Sequence, residues 1–314
     1  IKVLSYNNGN RIIKSIYKFR KQAHSIIFDF IPFPESAILS GILLGIETDI
    51  PDYLWDSYQA TGTVHIIAIS GFNITIISYL IFCIIQSIFG WSWALPITIG
   101  TVFLYTFFVG ADPPVVRAAI MGVISLTGRQ IGRRSISIYT LILAAAIMLL
   151  TNPFLLWSVS FQLSFLATLA LIIVVDPVET WIKLKGAIYF SEDKLQLFFP
   201  ILSLCIATFS VIVVIFPVLY KISPDLSTVS LLANFIIAPV QPAIMIFGGL
   251  AVISGFFISP NLNIFGMIVW PLIYFCNQIA IRLSMSNSAI FPISKVGYWI
   301  SLFISIFLVV YFVY

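Results

Sequence analysis

Long apolar runs set the pattern of this chain. They lie near 64–88, 92–110, 136–151, 157–175, 198–219, 228–254, 262–284 and 297–314, with shorter ones at 36–47 and 113–127. A helix needs about 20 mostly apolar residues to cross roughly 30 Å of hydrocarbon. Strands of a membrane barrel would alternate apolar and polar residues, and these runs do not. The pattern predicts an all-α fold, a polytopic transmembrane bundle of about eight to ten helices, some short or discontinuous. Residues 11–30 differ. In a helix, Arg11, Lys14, Lys18 and Lys21 share one face, and Ile12, Ile16, Phe19, Ala23, Ile26 and Phe30 share the other. A basic amphipathic helix of this kind lies in the headgroup plane; the alternative is a soluble connector. Pro32 and Pro34 end the segment, so 1–34 reads as an amphipathic interfacial connector and 35–314 as the transmembrane domain.

Composition agrees with a lipid environment. The chain has 314 residues, 60% hydrophobic and 9% charged, and its mean hydropathy is +1.08. Soluble domains carry roughly 25% charged residues. The net charge of +4 does not mark a nucleic-acid binder. Cys83, Cys205 and Cys276 stand singly in apolar runs and read as small core residues. The chain starts at Ile1 without a signal-peptide pattern, and reads as a piece of a longer protein.

Charged loops give a partial topology. Arg129, Arg133 and Arg134 form one tight loop, and Lys183, Lys185 and Lys194 lie in the next long loop. Two spans separate them, so both face one side, which positive-inside bias makes cytoplasmic. The acidic stretch Glu47, Asp49, Asp52 and Asp56 then lies outside, if 64–88, 92–110 and 113–127 all cross. Pro51 suits the first turn of a short helix there, and Gly62 its stop.

Polar groups recur at membrane depth. His65, Ser70, Gly71 and Asn73 open the run at 64, where Gly71 lets the helix unwind or a neighbour approach. A packing notch with an interhelical Asn bond and a cavity lining are both open for this cluster. Asp112 is placed to cap a helix begun by Pro113 and Pro114. Arg117 lies in the segment 113–127, about 22 Å long as a helix and short for a span. An intramembrane Arg faces a partner or water; the alternatives are an ion pair with Asp112, or snorkelling. Ser158, Ser160, Gln162 and Ser164 alternate with apolar residues, and Gln162 needs partners if buried. Asn234 and Gln241 are seven apart and share a helical face, with Pro239 and Pro242 in the same run.

No G-x-x-x-x-G-K-[ST] motor motif, metal-ligand spacing or hydrolase motif stands out, so neither cofactor nor metal is expected. An intramembrane enzyme would need His65, Ser70 or Asp112 to converge. A small-solute or lipid transporter is the other competing class, which inverted repeats would favour; the sequence offers none.

Four blocks resemble the transmembrane competence domain of the ComEC/Rec2 family. The first is Ser40-Gly41-Ile42-Leu43-Leu44-Gly45 with Thr61-Gly62-Thr63-Val64-His65-Ile66-Ile67-Ala68-Ile69-Ser70-Gly71. The second is Gly110-Ala111-Asp112-Pro113-Pro114-Val115-Val116-Arg117-Ala118-Ala119-Ile120-Met121. Asn152-Pro153 through Phe161-Gln162-Leu163-Ser164-Phe165-Leu166-Ala167 is the third, and Leu232-Ala233-Asn234-Phe235 through Pro239 the fourth. Asn73 stands where many members have His, and Ser158 and Ser160 where Asp and Gly are usual. The resemblance implies a channel core for single-stranded DNA in the bacterial inner membrane, used in natural transformation. It also implies membrane lipid, a DNA receptor, a cytoplasmic motor and further copies of the chain as partners. Arg117 would be the cation for phosphates, Asn73, Gln162, Asn234 and Gln241 amide contacts, and His65, Ser70, Gly71, Asp112 and Ser164 further pore-lining positions.

Overall fold

The computed structural model describes residues 11–132, 136–189, 192–221, 225–257, 263–286 and 290–292, with 299, 302 and 303. Its centre is a short helix. The run at 36–47 is too brief to span, and it folds as α2 (Glu35–Leu44), every residue of which is buried. At 1.5 Å per residue it is about 15 Å long. Around it pack α1 (Arg11–Phe30), α4 (Val64–Ile67), α6 (Trp91–Val109), α13 (Gln241–Gly255) and α14 (Ile264–Ser284). The main core is this contact, with Ile38, Leu39, Ile42 and Leu43 set among Ile27, Ile67, Ile244 and Ile273.

The remaining helices extend from that centre. α3 (Asp52–Ala60) packs on α14, and ends at Gly62, whose φ of 67° suits the predicted stop. α5 (Gly71–Phe89), α6 and α7 (Pro113–Gln130) form a second cluster around Ile74, Val102, Val109 and Val115. α7 then leads to α8 (Ser137–Thr151), α9 (Val159–Ala170) and α11 (Glu192–Leu219). Among the described residues, five helical segments are long and apolar enough to cross a membrane: Val64–Phe89, Val159–Leu184, Leu202–Leu219, Ser230–Gly255 and Ile264–Ser284. Shorter apolar helices are Glu35–Leu44, Trp93–Val109, Pro113–Gly128 and Ser137–Thr151. The chain is an all-α polytopic membrane protein. The expected span at 297–314 lies outside the described residues apart from 299, 302 and 303.

Several expectations are corrected. The run from 157 does not end in a loop at 175: a π turn at Leu171–Val175 carries it into α10 (Asp176–Tyr189). Lys183 and Lys185 are therefore on a helix, and Lys194 is in the first turn of α11. α10 holds on α11 through polar and aromatic contacts, the Lys183 ammonium lying 4.3 Å from the Phe199 ring centre and Glu179 accepting a bond from Ser203. Asn234 and Gln241 do not share one helix. Pro239 removes a donor, a 3₁₀ turn at Ala238–Val240 intervenes, and the residues fall on α12 (Ser230–Ile237) and α13. α1 is amphipathic as predicted; it buries Ala23 of the expected apolar face together with Ile27, which was not on it, while Phe19 is half exposed and stacks on Phe256. A two-stranded antiparallel ribbon, β1 (Asp225–Ser227) with β2 (Ile290–Pro292), was not foreseen.

Candidate functional site at a junction of broken helices

Helix ends buried in a bundle leave carbonyls and amides that must find partners. The carboxyl end of α2 does so with side chains from other helices. Asn73 of α5 donates to the Ile42 carbonyl at 3.4 Å, and Tyr105 of α6 to Leu43 at 3.1 Å. Arg20 of α1 donates to both Leu44 and Gly45, each at 3.0 Å. Gly45 holds the left-handed conformation (φ 68°) that ends a helix, and the Arg20 cation meets the negative end of the helix dipole. α4 stops after one turn, and its Ile66 carbonyl accepts from Gln241 at 3.4 Å. Gln241 also donates to the Asn73 side-chain oxygen at 3.1 Å, which accepts from Ser70 at 3.2 Å. The interruptions at 45, at 68–70 and at 238–240 thus share one buried polar network built on Asn73 and Gln241.

Arg117 adjoins this network through Gly71. A Cβ on Gly71 would stand 2.7 Å from one Arg117 terminal nitrogen, so glycine permits the approach. On the other side, Arg117 Nε donates to Ser164 Oγ at 2.8 Å, and Nη1 donates to Thr168. The Phe165 ring centre is 5.9 Å from the guanidinium carbon. Among the described residues no carboxylate pairs with Arg117, and the ion pair with Asp112 weighed from the sequence is not formed.

The candidates therefore separate. Ser70, Gly71, Asn73, Arg117, Ser164 and Gln241 meet around the breaks. Gln162 is tied off locally, donating to the Leu156 carbonyl at 2.8 Å. Asn234 is buried on α12, and its side-chain oxygen has no partner among the described residues. His65 and Asp112 are exposed. No hydrogen bond among the described residues links His65, Ser70 and Asp112.

Asp112 matters electrostatically. It and loss of water around the Glu47 carboxyl, the larger effect, push Glu47 above its ordinary value of 4.5. Their closeness puts the acidic stretch and the α6–α7 turn at one end of the bundle. A carboxyl raised by folding supports the fold below its unfolded value and loses that support as pH rises through the folded value. Glu47→Gln is expected to raise the melting temperature slightly at about pH 7, less than about 1 kcal/mol after solvent screening. At about pH 4 the change should vanish. Paired thermal melts check both.

Sequence reasoning missed a second buried polar group. Tyr58 donates to Asn277 at 2.9 Å, and Asn277 to Glu35 at 3.3 Å. Burial first, then Cys276 and Glu35, hold the Tyr58 phenol above its ordinary range, so it stays a donor. Glu35 follows Pro34 directly at the head of an apolar run, which was the available signal. Thr168 was also missed, although it stands one helical turn after Ser164.

Interrupted spans whose ends are capped at depth by side chains from neighbouring helices define a helical membrane protein with a polar interior junction. The family model for "Competence protein" matches residues 42–314, and the chain belongs to that family. It is similar to ComE operon protein 3 of Bacillus subtilis (strain 168), 30% identical over 160 residues, which are 50% of this chain and 20% of the relative. It also resembles uncharacterized protein YcaI of Escherichia coli (strain K12), at 32% over 153 residues, 45% of this chain and 20% of the relative. An uncharacterized protein of Aquifex aeolicus (strain VF5) is 29% identical over 119 residues, covering 38% and 28%. These alignments span between a fifth and somewhat over a quarter of the curated relatives' length. No solved structure matches the chain significantly.

Proposed function

We propose that this chain forms the transmembrane core of a DNA-uptake apparatus in the bacterial cytoplasmic membrane, and that one DNA strand crosses beside the junction of broken helices. The observation that carries the reading is Arg117, a cation inside the bundle held by two hydroxyls and no carboxylate among the described residues. A charge kept at that depth is costly and serves a partner or a wet path. A strand's phosphates are such partners, because each needs a cation or an amide once bulk water is left behind. Membership of the Competence protein family supports the same substrate. A surface receptor would deliver the strand and a cytoplasmic motor would draw it in, with copies of the chain assembling around the path.

The test is uptake of end-labelled DNA into a nuclease-protected cytoplasmic pool. Cells lacking the full-length protein are expected to bind DNA outside but to protect none, and the restored gene to recover protection. Normal protection in the deletion strain would overturn the reading.

A further inference from the structure

We infer that Arg117, braced from behind by Ser164 and Thr168, forms with the start of α5 a seat for one phosphodiester group of a DNA strand, with Thr168 as a positioning residue. This rests on the conduit reading above and adds the site at which the strand is gripped.

A guanidinium carries five N–H donors. Nε is used by Ser164, and Nη1 by Thr168 and the Met121 sulfur, the latter at 4.0 Å. Thr168 donates its own proton to the Ser164 carbonyl at 3.0 Å, which turns the lone pairs of its hydroxyl toward the guanidinium. Both braces are neutral, so they fix the fork without neutralising its charge. The Nη2 edge points toward Gly71 and has no acceptor among the described residues. At that edge α5 begins, and Ser70 makes no side-chain cap. The Gly71 and Phe72 amides also find no acceptor among the described residues. An anion there would receive the charged Nη2 group and two amides. The Phe165 ring lies beside the guanidinium, and Phe72, next in sequence to Gly71, is 49% exposed. Bases stack on such rings, which favours a nucleic-acid phosphodiester over that of a lipid headgroup.

The experiment titrates a short fluorescent oligothymidylate into full-length protein in phosphatidylcholine nanodiscs across a range of salt. One phosphate contact on a single strand contributes a slope of about 0.7 in log affinity against log salt. Arg117→Gln is expected to lower the slope by about that amount. Thr168→Val should weaken binding about three- to tenfold with the slope kept, and Thr168→Ser should restore it. Gly71→Ala, whose methyl displaces the fork, should behave like Arg117→Gln. An unchanged slope in R117Q overturns the seat and leaves the conduit reading standing; wild-type protein that binds no oligothymidylate overturns both. A second arm adds phosphatidylglycerol. If that lipid abolishes the Arg117-dependent binding, the seat belongs to a headgroup and the inference fails.

Discussion

Arg117→Gln is expected to lower uptake of labelled single-stranded DNA by about ten- to a hundredfold while the protein stays in the membrane at its normal level. A hydrogen bond to a charged group contributes roughly 1.5–3 kcal/mol, and each 1.4 kcal/mol is about tenfold. The loss falls at the upper end if the strand has no other cation within the bundle. Glutamine places an amide donor at about the position of Nε, so Ser164 retains a partner, and Thr168 keeps its bond to the Ser164 carbonyl. Arg117→Lys keeps the charge but loses the fork, and should fall between wild type and the glutamine variant. Wild-type uptake by R117Q at equal protein level would remove Arg117 from the path.

The second large effect concerns the fold. Gln241→Leu leaves the Ile66 carbonyl bare and Asn73 with only the Ser70 hydroxyl at its side-chain oxygen. Stranding buried acceptors costs about 1–3 kcal/mol. Asn73→Leu strands the Ile42 carbonyl as well, and should cost at least as much. Because the two amides bond each other, the double variant should be less damaging than the sum of the singles. Interhelical couplings in membranes average about 0.6 kcal/mol and reach about 1.7 kcal/mol. Denaturant unfolding of the four proteins in detergent gives the coupling directly. Strict additivity would mean that the amides act independently.

Much of the bundle was legible because hydrophobic length is a strong signal. The runs from 92, 136 and 262 became helices α6, α8 and α14 nearly at their predicted limits. Gly62 announced the end of α3, and Gly71 the close approach of a neighbour. What failed to show had tertiary causes. Ala23 is on the apolar face expected of α1, but nothing local marks Ile27 for full burial; that follows from where Arg20 finds the end of α2. The chain carries charges through 176–194, which read as a loop, yet contacts with α11 keep α10 helical. Among the site residues, Arg117, Asn73 and Gln241 stood out because each is expensive to bury. Their partners did not. Ser164 and Gln162 look equally polar in sequence, and only the fold sends one to Arg117 and the other to its own turn. The pairing of Asn73 with Gln241 spans 168 positions, a separation that periodicity cannot bridge.

The central claim is that a strand passes the junction where α5 begins. Photo-crosslinking during uptake tests it most directly. A benzoylphenylalanine placed at Phe72, which is 49% exposed beside Gly71, is expected to capture labelled DNA in transit. The same group at Ile84, 54% exposed farther along α5, should capture lipid and no DNA. DNA captured equally at both positions, or none at Phe72 while uptake proceeds, would contradict the account.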